Sequence, residues 1–460
     1  MTAVLPSTHE AGVERLLASY RAVPAGDRVR LAKRTSNLFR ARTATSAPGL
    51  DTSGLVGVLA VDPDARTADV QGMCTYDALV AATLPHGLTP LVVPQLRTIT
   101  LGGAVTGLGI ESASWRNGLP HESVLEMDVL TGTGEVVTTD EATRHPDLFR
   151  GFPNSYGTLG YATRLRIQLE PVGAVVALRH LRFHDLDTLL GTLHEVVGSA
   201  AHDGEPVDYV DGVVFSAGES YLVLGRRTDE PGPTSDYTGT RIYYRSIQHD
   251  GPAPRRDRLT TSDYLWRWDT DWFWCSRAFG AQNPVLRRLW PRQWLRSSVY
   301  WRLVALDRRL SVADRLEARR GRPPRERVVQ DVELPLSTTG DFLRWFLREV
   351  PIEPVWLCPL RLRSTRAWTL YPLRPAETYV NVGFWSSVPV DPSAGPGATN
   401  RRIERRVTAL GGHKSLYSES FYDEAEFHGR YGGDAYAALK ARWDPGSRLP
   451  TLYEKAVQGA

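Results

Sequence analysis

The clearest alternation of apolar and polar positions runs from Gly160 to Leu169. Leu165, Ile167 and Leu169 fall on one face and Arg164, Arg166 and Gln168 on the other, as in a half-buried strand. Shorter runs upstream read the same way. Gly57–Val61 and Thr67–Gly72 flank an Asp-Pro-Asp turn, and a Thr-Gly-Thr-Gly hairpin turn at 131–134 joins Ser123–Leu130 to Glu135–Thr139. Helical spacing appears at Ala11–Tyr20, at Pro146–Phe152, and at Tyr76–Leu84, which Thr75 can cap and Gly87 ends. A strand-like apolar run, Leu91–Val93, is closed by Pro94. These elements predict an α+β unit ending near Pro171.

The stretch Thr98–Gly118 follows neither period. It holds five glycines, Gly102, Gly103, Gly107, Gly109 and Gly118, among Ser and Thr. Without a Cβ, the main chain can take positive φ and bring N–H groups against an anion such as a pyrophosphate. The same composition also suits a glycine-rich surface turn. Two familiar phosphate motifs are excluded: there is no Gly-Lys-Ser/Thr, and the spacing is not that of the dinucleotide fingerprint.

From about residue 172 the alternation is less regular and aromatics accumulate. Seven of the 13 tryptophans fall between Trp266 and Trp301, interleaved with Arg267, Arg277, Arg287, Arg288, Arg292, Arg296 and Arg302. Two readings are open: core aromatics with Arg on the solvent face, or a surface in which Trp sits at a lipid headgroup boundary and Arg attracts anionic lipid. Arg319–Pro324 is expected to be an exposed loop, 341–348 an amphipathic helix, 378–385 a core strand, and 422–458 helical.

Composition narrows the function class. Apolar content of 42% and charged content of 23% mark a globular chain, and its 460 residues allow two or three domains. The formal charge of +3, from 55 basic and 52 acidic residues, argues against a dedicated nucleic-acid binder. Cys74, Cys275 and Cys358 are odd in number and far apart, so neither a metal site nor a disulfide framework is expected, and a reducing cytoplasm is the natural compartment. No apolar run is long enough to span a bilayer, and the N-terminus lacks a signal-peptide core.

The residues Thr100-Leu101-Gly102-Gly103, Gly107–Ser112 and Asn117-Gly118, with Ser155–Gly160, Trp356–Pro359 and Leu452–Ala456, carry a resemblance over nearly the whole chain. The chain resembles the vanillyl-alcohol-oxidase-type (PCMH-type) FAD flavoproteins. Within them it is most similar to the sterol Δ24-reductases and to actinobacterial flavoproteins that saturate methylene-branched fatty acyl chains. The resemblance implies an FAD-binding domain over 1–171, an α+β substrate or cap domain over 172–421, and a C-terminal segment, 422–460, returning to the flavin domain. It implies FAD contacts from Ser36, Asn37, Thr98, Thr100, Leu101, Gly102, Gly103, Ala104, Gly107, Gly109, Ile110, Glu111, Ser112, Asn117, Gly118, Gly157, Thr158, Gly160 and Tyr161. The family's usual covalent His is missing near residues 35–39, so non-covalent FAD is expected. The family's membrane anchor is also missing, which implies a cytoplasmic protein, peripheral at most at the inner face of the membrane.

The resemblance further implies a reductase of an isolated carbon–carbon double bond in a lipid, with NADPH as co-substrate, although no second nucleotide motif marks where NADPH binds. An FAD-dependent oxidase or dehydrogenase of an alcohol or sugar is the alternative on the same fold. Hydride delivered alone to an unpolarised alkene would leave an unstabilised carbanion, so the chemistry calls for a proton donor in a dry apolar pocket. Tyr417 and His413, in Gly411–Tyr417, and Glu111 are the candidates. Against catalysis stand a packed aromatic for Tyr417, a capping residue for His413, and a cofactor contact for Glu111. Cys358 reads as a buried core thiol.

Overall fold

A computed structural model describes residues 6–33, 39–40, 48–310 and 325–459. Ser36, Asn37 and the Arg319–Pro324 stretch lie outside the described residues. The architecture is α+β, organised as two antiparallel sheets that meet across a cavity.

The first sheet comprises β1 (Val58–Asp62), β2 (Thr67–Gln71), β3 (Leu88–Pro90), β4 (Val124–Leu130), β5 (Val136–Asp140) and β6 (Tyr161–Pro171). Its order is β1-β2-β6-β4-β5, with β3 pairing the end of β6. The alternation of β6 buries Leu165, Ile167 and Leu169 as expected. Thr75 caps the helix Tyr76–Thr83 by accepting from the Ala78 N–H, and Gly87 follows it in the left-handed region, as the turn chemistry predicts. The expected strand at Leu91–Val93 forms instead at Leu88–Pro90, where the chain pairs with β6.

The second sheet has eight strands. They are β7 (Val175–Phe183), β10 (Tyr209–Ser216), β11 (Glu219–Thr228), β12 (Arg255–Thr260), β13 (Arg325–Pro335), β14 (Val355–Leu360), β15 (Tyr379–Pro389) and β16 (His413–Lys414). A small hairpin, β8 (Ala201–His202) and β9 (Glu205–Pro206), stands apart. The sheet order is β12-β7-β11-β10-β14-β15-β13-β16. Helices Leu186–Ser199, Leu336–Glu349 and Ala398–Ala409 cover one face, burying Leu189, Leu193, Phe342, Phe346, Ile403 and Val407 against Val332, Leu357, Val382 and Phe384. Because successive strand residues point to opposite faces, Asp331, Glu333, Trp356 and Trp385 are turned the other way, towards the first sheet. Three helices, Glu424–Arg430, Gly433–Trp443 and Leu452–Ala456, close the chain. The last carries a Thr451–Glu454 capping box.

Candidate functional site

The glycine stretch is more regular than its composition suggests. Leu101–Thr106 is a short helix capped by Thr100, whose hydroxyl accepts from the Gly103 N–H at 3.2 Å. Gly102 is required by packing, since a Cβ there would meet the Gly72 carbonyl oxygen at 2.6 Å. Gly103 faces elsewhere: a Cβ there would point at Thr100 Oγ1, 2.8 Å away, and Lys33 Nζ, 3.5 Å away. Lys33 in turn donates to Thr100 Oγ1 at 3.1 Å.

This turn forms one wall of a cavity of about 780 Å³ between the two sheets. Of the residues implied to contact FAD, Thr98, Thr100, Gly102, Gly103, Ala104, Gly107, Gly109, Ile110, Gly157 and Tyr161 line it. The other described ones lie behind it. Leu101 is core. Asn117 donates to the Leu91 carbonyl at 2.6 Å and to Glu170 at 2.8 Å. Gly118 and Gly160 are close-approach positions, where a Cβ would meet Glu122 Oε2 at 2.0 Å or the Leu130 carbonyl at 2.4 Å. Thr158 bonds the Ser155 carbonyl at 2.8 Å, and its own carbonyl accepts from Lys440 at 2.8 Å.

Arg28, Arg30, Lys33, Arg40 and Lys455 line the cavity, and Asp331 is the one acidic residue among the described lining groups. Phe39, Trp272, Phe273, Trp356, Trp385 and Tyr417 add an aromatic lining, with Arg40 next to it through its bond to the Leu416 carbonyl. Phe273 stacks on Trp385 with ring centroids 4.3 Å apart. Cationic groups beside a glycine that leaves room at the backbone suit a diphosphate, and the aromatic lining suits a flat apolar ring and an apolar substrate. The residues therefore fit FAD.

Tyr417 is brought to this cavity and His413 is not. Tyr417 Oη accepts from Trp385 Nε1 at 2.9 Å, and the phenol lies close enough to the Asp331 carboxyl to influence its proton affinity. His413 lies beside Tyr371, with ring centroids 5.4 Å apart, and burial lowers its pKa to about 4. Lys414, its neighbour, is buried against Glu404 at 3.3 Å.

Glu111 sits behind the wall that Ile110 faces. Arg267 Nη2 is 2.9 Å from both Glu111 Oε1 and Asp211 Oδ2, and all three side chains are buried. Trp268 and Trp356 each donate to Asp211 at 3.2 Å. Burial raises the Glu111 pKa against the pull of the guanidinium. This cluster ties the glycine stretch to β10 and to the aromatic tract.

Asp331 was not singled out from the sequence. Burial pushes its pKa up to about 7, opposed by hydrogen bonds from Asn381 (3.2 Å) and Tyr417. The available signal was the run Val328–Leu334, where acidic Asp331 and Glu333 alternate with apolar Val332 and Leu334. Cys275 also lines the cavity, and burial holds its thiol up at about 12.

The aromatic–Arg tract divides in two. Trp266, Trp268, Trp272 and Trp274 are core, as is Arg287, which makes a bidentate pair with Asp271 at 2.7 and 3.0 Å. Arg287 therefore does not belong to a lipid-facing surface. Residues 285–294 are different: Val285, Leu286, Leu289 and Trp294 are 66, 49, 77 and 52% exposed, beside exposed Arg288, Arg292 and Arg296.

Residues 3–140 match the family described as FAD binding domain. The chain carries an FAD-binding domain. It is also similar to Delta(24)-sterol reductases. The Homo sapiens protein is 25% identical over 417 residues, covering 88% of this chain and 77% of the relative. The Arabidopsis thaliana protein is 24% identical over 430 residues, covering 87% and 75%. Cytokinin dehydrogenase 2 of Oryza sativa subsp. japonica is 34% identical over 165 residues, 34% of this chain and 28% of that protein. Among the described residues no His/Cys/Asp/Glu group is arranged to hold a metal, and no helix is long and apolar enough to cross a membrane.

Proposed function

We propose that the protein is an FAD-dependent oxidoreductase that saturates an isolated carbon–carbon double bond in a lipid. The substrate is a methylene-branched fatty acyl chain or a sterol side chain, and NADPH is the hydride source. The observation that carries this reading is the cavity, cationic beside the glycine turn and aromatic around Asp331 and Tyr417. Similarity to Delta(24)-sterol reductases over most of the chain supports it.

FAD, when bound, supplies hydride transfer. The chain's own residues do the rest. Gly103, Thr100 and Lys33 offer the diphosphate a bare backbone and a cation, and Trp272, Phe273 and Trp385 exclude water from the reacting end. Tyr417 holds a proton where an apolar substrate enters. An unpolarised alkene takes that proton at its less substituted carbon and leaves a tertiary cation, which a dry site protects from water until hydride arrives.

The exposed patch at 285–294 suits contact with an anionic membrane surface, from which a lipid substrate is collected. A dehydrogenase of an alcohol or sugar is the rival reading, favoured only by the cytokinin dehydrogenase match over a third of the chain.

Anaerobic flavin absorbance tests the reading. NADPH should bleach the purified yellow protein, and a methylene-branched acyl lipid or a Δ24 sterol should restore the colour with formation of the saturated product. Bleaching by an alcohol or sugar, with no recolouring by any lipid alkene, would replace it with the rival.

A further inference from the structure

Asp331 occupies a place built for it. In the ladder between β13 and β15 it lies opposite Gly383, which on its other side faces Trp356 of β14. A Cβ at 383 would meet Asp331 Oδ1 at 2.4 Å and the Trp385 ring at 2.8 Å. The missing side chain makes room for the carboxyl and for the aromatics around it.

The carboxyl lines the cavity and is held by Asn381 Nδ2 at 3.2 Å, with the Tyr417 phenol beside it. Trp385 Nε1 donates to the Tyr417 oxygen at 2.9 Å, which fixes the phenol between the indole and the acid. No cation bonds Asp331 in the described structure; it accepts from the Asn381 amide, and the Tyr417 phenol lies beside it.

Resting on the reductase reading above, we propose that Asp331 is the proton reservoir of the site and that Tyr417 delivers its proton to the substrate. The Tyr417 O–H bond breaks as a C–H bond forms at the less substituted alkene carbon. The Asp331 O–H bond breaks as the Tyr417 O–H is restored, so no tyrosinate accumulates. The adjacent carbon takes the hydride that reduced FAD supplies. The sum is alkene plus proton plus hydride to the saturated chain, with FAD oxidised and Asp331 left as a carboxylate that water reprotonates.

Burial, and not a neighbouring charge, raises the proton affinity of the acid. Glu333, two residues along the same strand, bonds Tyr371 and accepts from Ser415 Oγ at 3.0 Å. Cys358 on β14 and Tyr156 also feel the Asp331 charge, and both are held protonated by burial. Arg40 lies over the Tyr156 ring, 5.1 Å from its centroid, and is bound to the Leu416 carbonyl at 2.8 Å. Burial thus sets the proton affinity of Asp331, at about 7. An acid with that affinity still holds its proton near neutral pH, where an ordinary Asp is ionised.

Two measurements test this. The first needs no substrate: infrared titration of the FAD-loaded protein should show a protonated-carboxyl band that disappears as pH rises through about 7. Asp331→Asn should lack that band, and Tyr417→Phe should keep it at a shifted frequency. An unchanged band in Asp331→Asn overturns the proposal. The second is the half-reactions. Asp331→Asn and Tyr417→Phe, once reduced by NADPH, should recolour with lipid alkene slower by roughly 100-fold or more, a loss far larger than any change in their bleaching. Wild-type recolouring should slow above about pH 7 and in deuterated water, and both effects should be lost in Asp331→Asn. Wild-type-like recolouring in Asp331→Asn overturns the proposal and leaves the reductase reading standing. Failure of the wild-type protein to recolour with any lipid alkene overturns that reading and this proposal with it, whatever the infrared band shows.

Discussion

The two faces of the eight-stranded sheet are made from alternate residues of the same strands, yet they follow different rules. Towards the helices stand Val328, Val332, Leu334, Val380, Val382 and Phe384, and Gln330 is accommodated there by its bond to Asn400. On the opposite face stand Asp331 and Trp385, which line the cavity, and Glu333 and Asn381 beside them. The first face has only packing to satisfy and stabilises the fold by burying apolar area. The second keeps polar groups out of water, where each needs a partner. Its partners are other buried polar groups, and burial raises the proton affinities of its acids, which makes them ready for chemistry. A slip of one residue in register would exchange the faces, so the helices and the cavity jointly fix the pairing.

The most damaging way to break this contrast is on the helix side. Phe384 packs on Phe346 with ring centroids 4.4 Å apart. Phe384→Ala should cost about 3–5 kcal/mol of stability, read from the denaturant midpoint, while flavin content per folded molecule is unchanged. Flavin loss without loss of stability would show that the two faces are not separable in this way.

The opposite wall of the cavity offers the next test. Gly103→Val places its side chain at Thr100 and Lys33, so the purified variant should be folded by circular dichroism but colourless. Gly102→Val collides with the backbone of Gly72 instead, and should lose the fold as well as the colour. In the wild-type protein, acid precipitation should release the yellow colour to the supernatant; colour retained in the pellet would mean a covalent link.

A smaller effect follows from Asp331. Its folded pKa of about 7 lies above the ordinary Asp value, 3.8, so between them the native state binds more protons than the unfolded one. Its contribution to stability is complete below about pH 4 and is lost as pH rises through about 7. Asp331→Asn should flatten the stability profile across that window relative to wild type, and an identical slope in both proteins would refute the assignment of the shift.

The smallest effect lies on the surface. Arg288→Glu with Arg292→Glu should weaken sedimentation with anionic vesicles, each basic residue there contributing about 1 kcal/mol at low salt. Exposed Leu289 and Trp294 should leave a residue of binding that salt does not remove. Arg287 is excluded from this pair because its loss would strand buried Asp271 and test folding instead. Wild-type protein that stays wholly in solution beside such vesicles would leave the patch without a lipid partner.

Local patterns were legible in the chain. The alternation of β6, the Thr75 cap, the hairpin at 131–134 and the helices around 146 and 341 each depend on neighbours within a few residues, and the sequence carries that information directly. The glycine stretch was legible as a place of close approach, but composition did not separate Gly103, which faces the cavity, from Gly102, Gly118 and Gly160, whose missing side chains accommodate the protein itself. Strand β3 formed three residues before its most apolar run because pairing with β6 decided its position.

What the chain by itself determined was an α+β architecture and a glycine-rich stretch of close backbone approach; the flavoprotein class came from the resemblance that its motifs of contiguous residues carry. What only the tertiary structure decided was which side chains share the cavity. Asp331 and Tyr417 are 86 residues apart with three strands between them, and Lys33 is 67 residues from Thr100. His413 and Glu111 were candidates in the sequence beside Tyr417, and Asp331 was not; one strand register and one buried ion cluster turned the first two elsewhere. The physical reason is that a proton affinity belongs to a surrounding: an Asp becomes an acid for neutral pH only when distant segments close around it and exclude water.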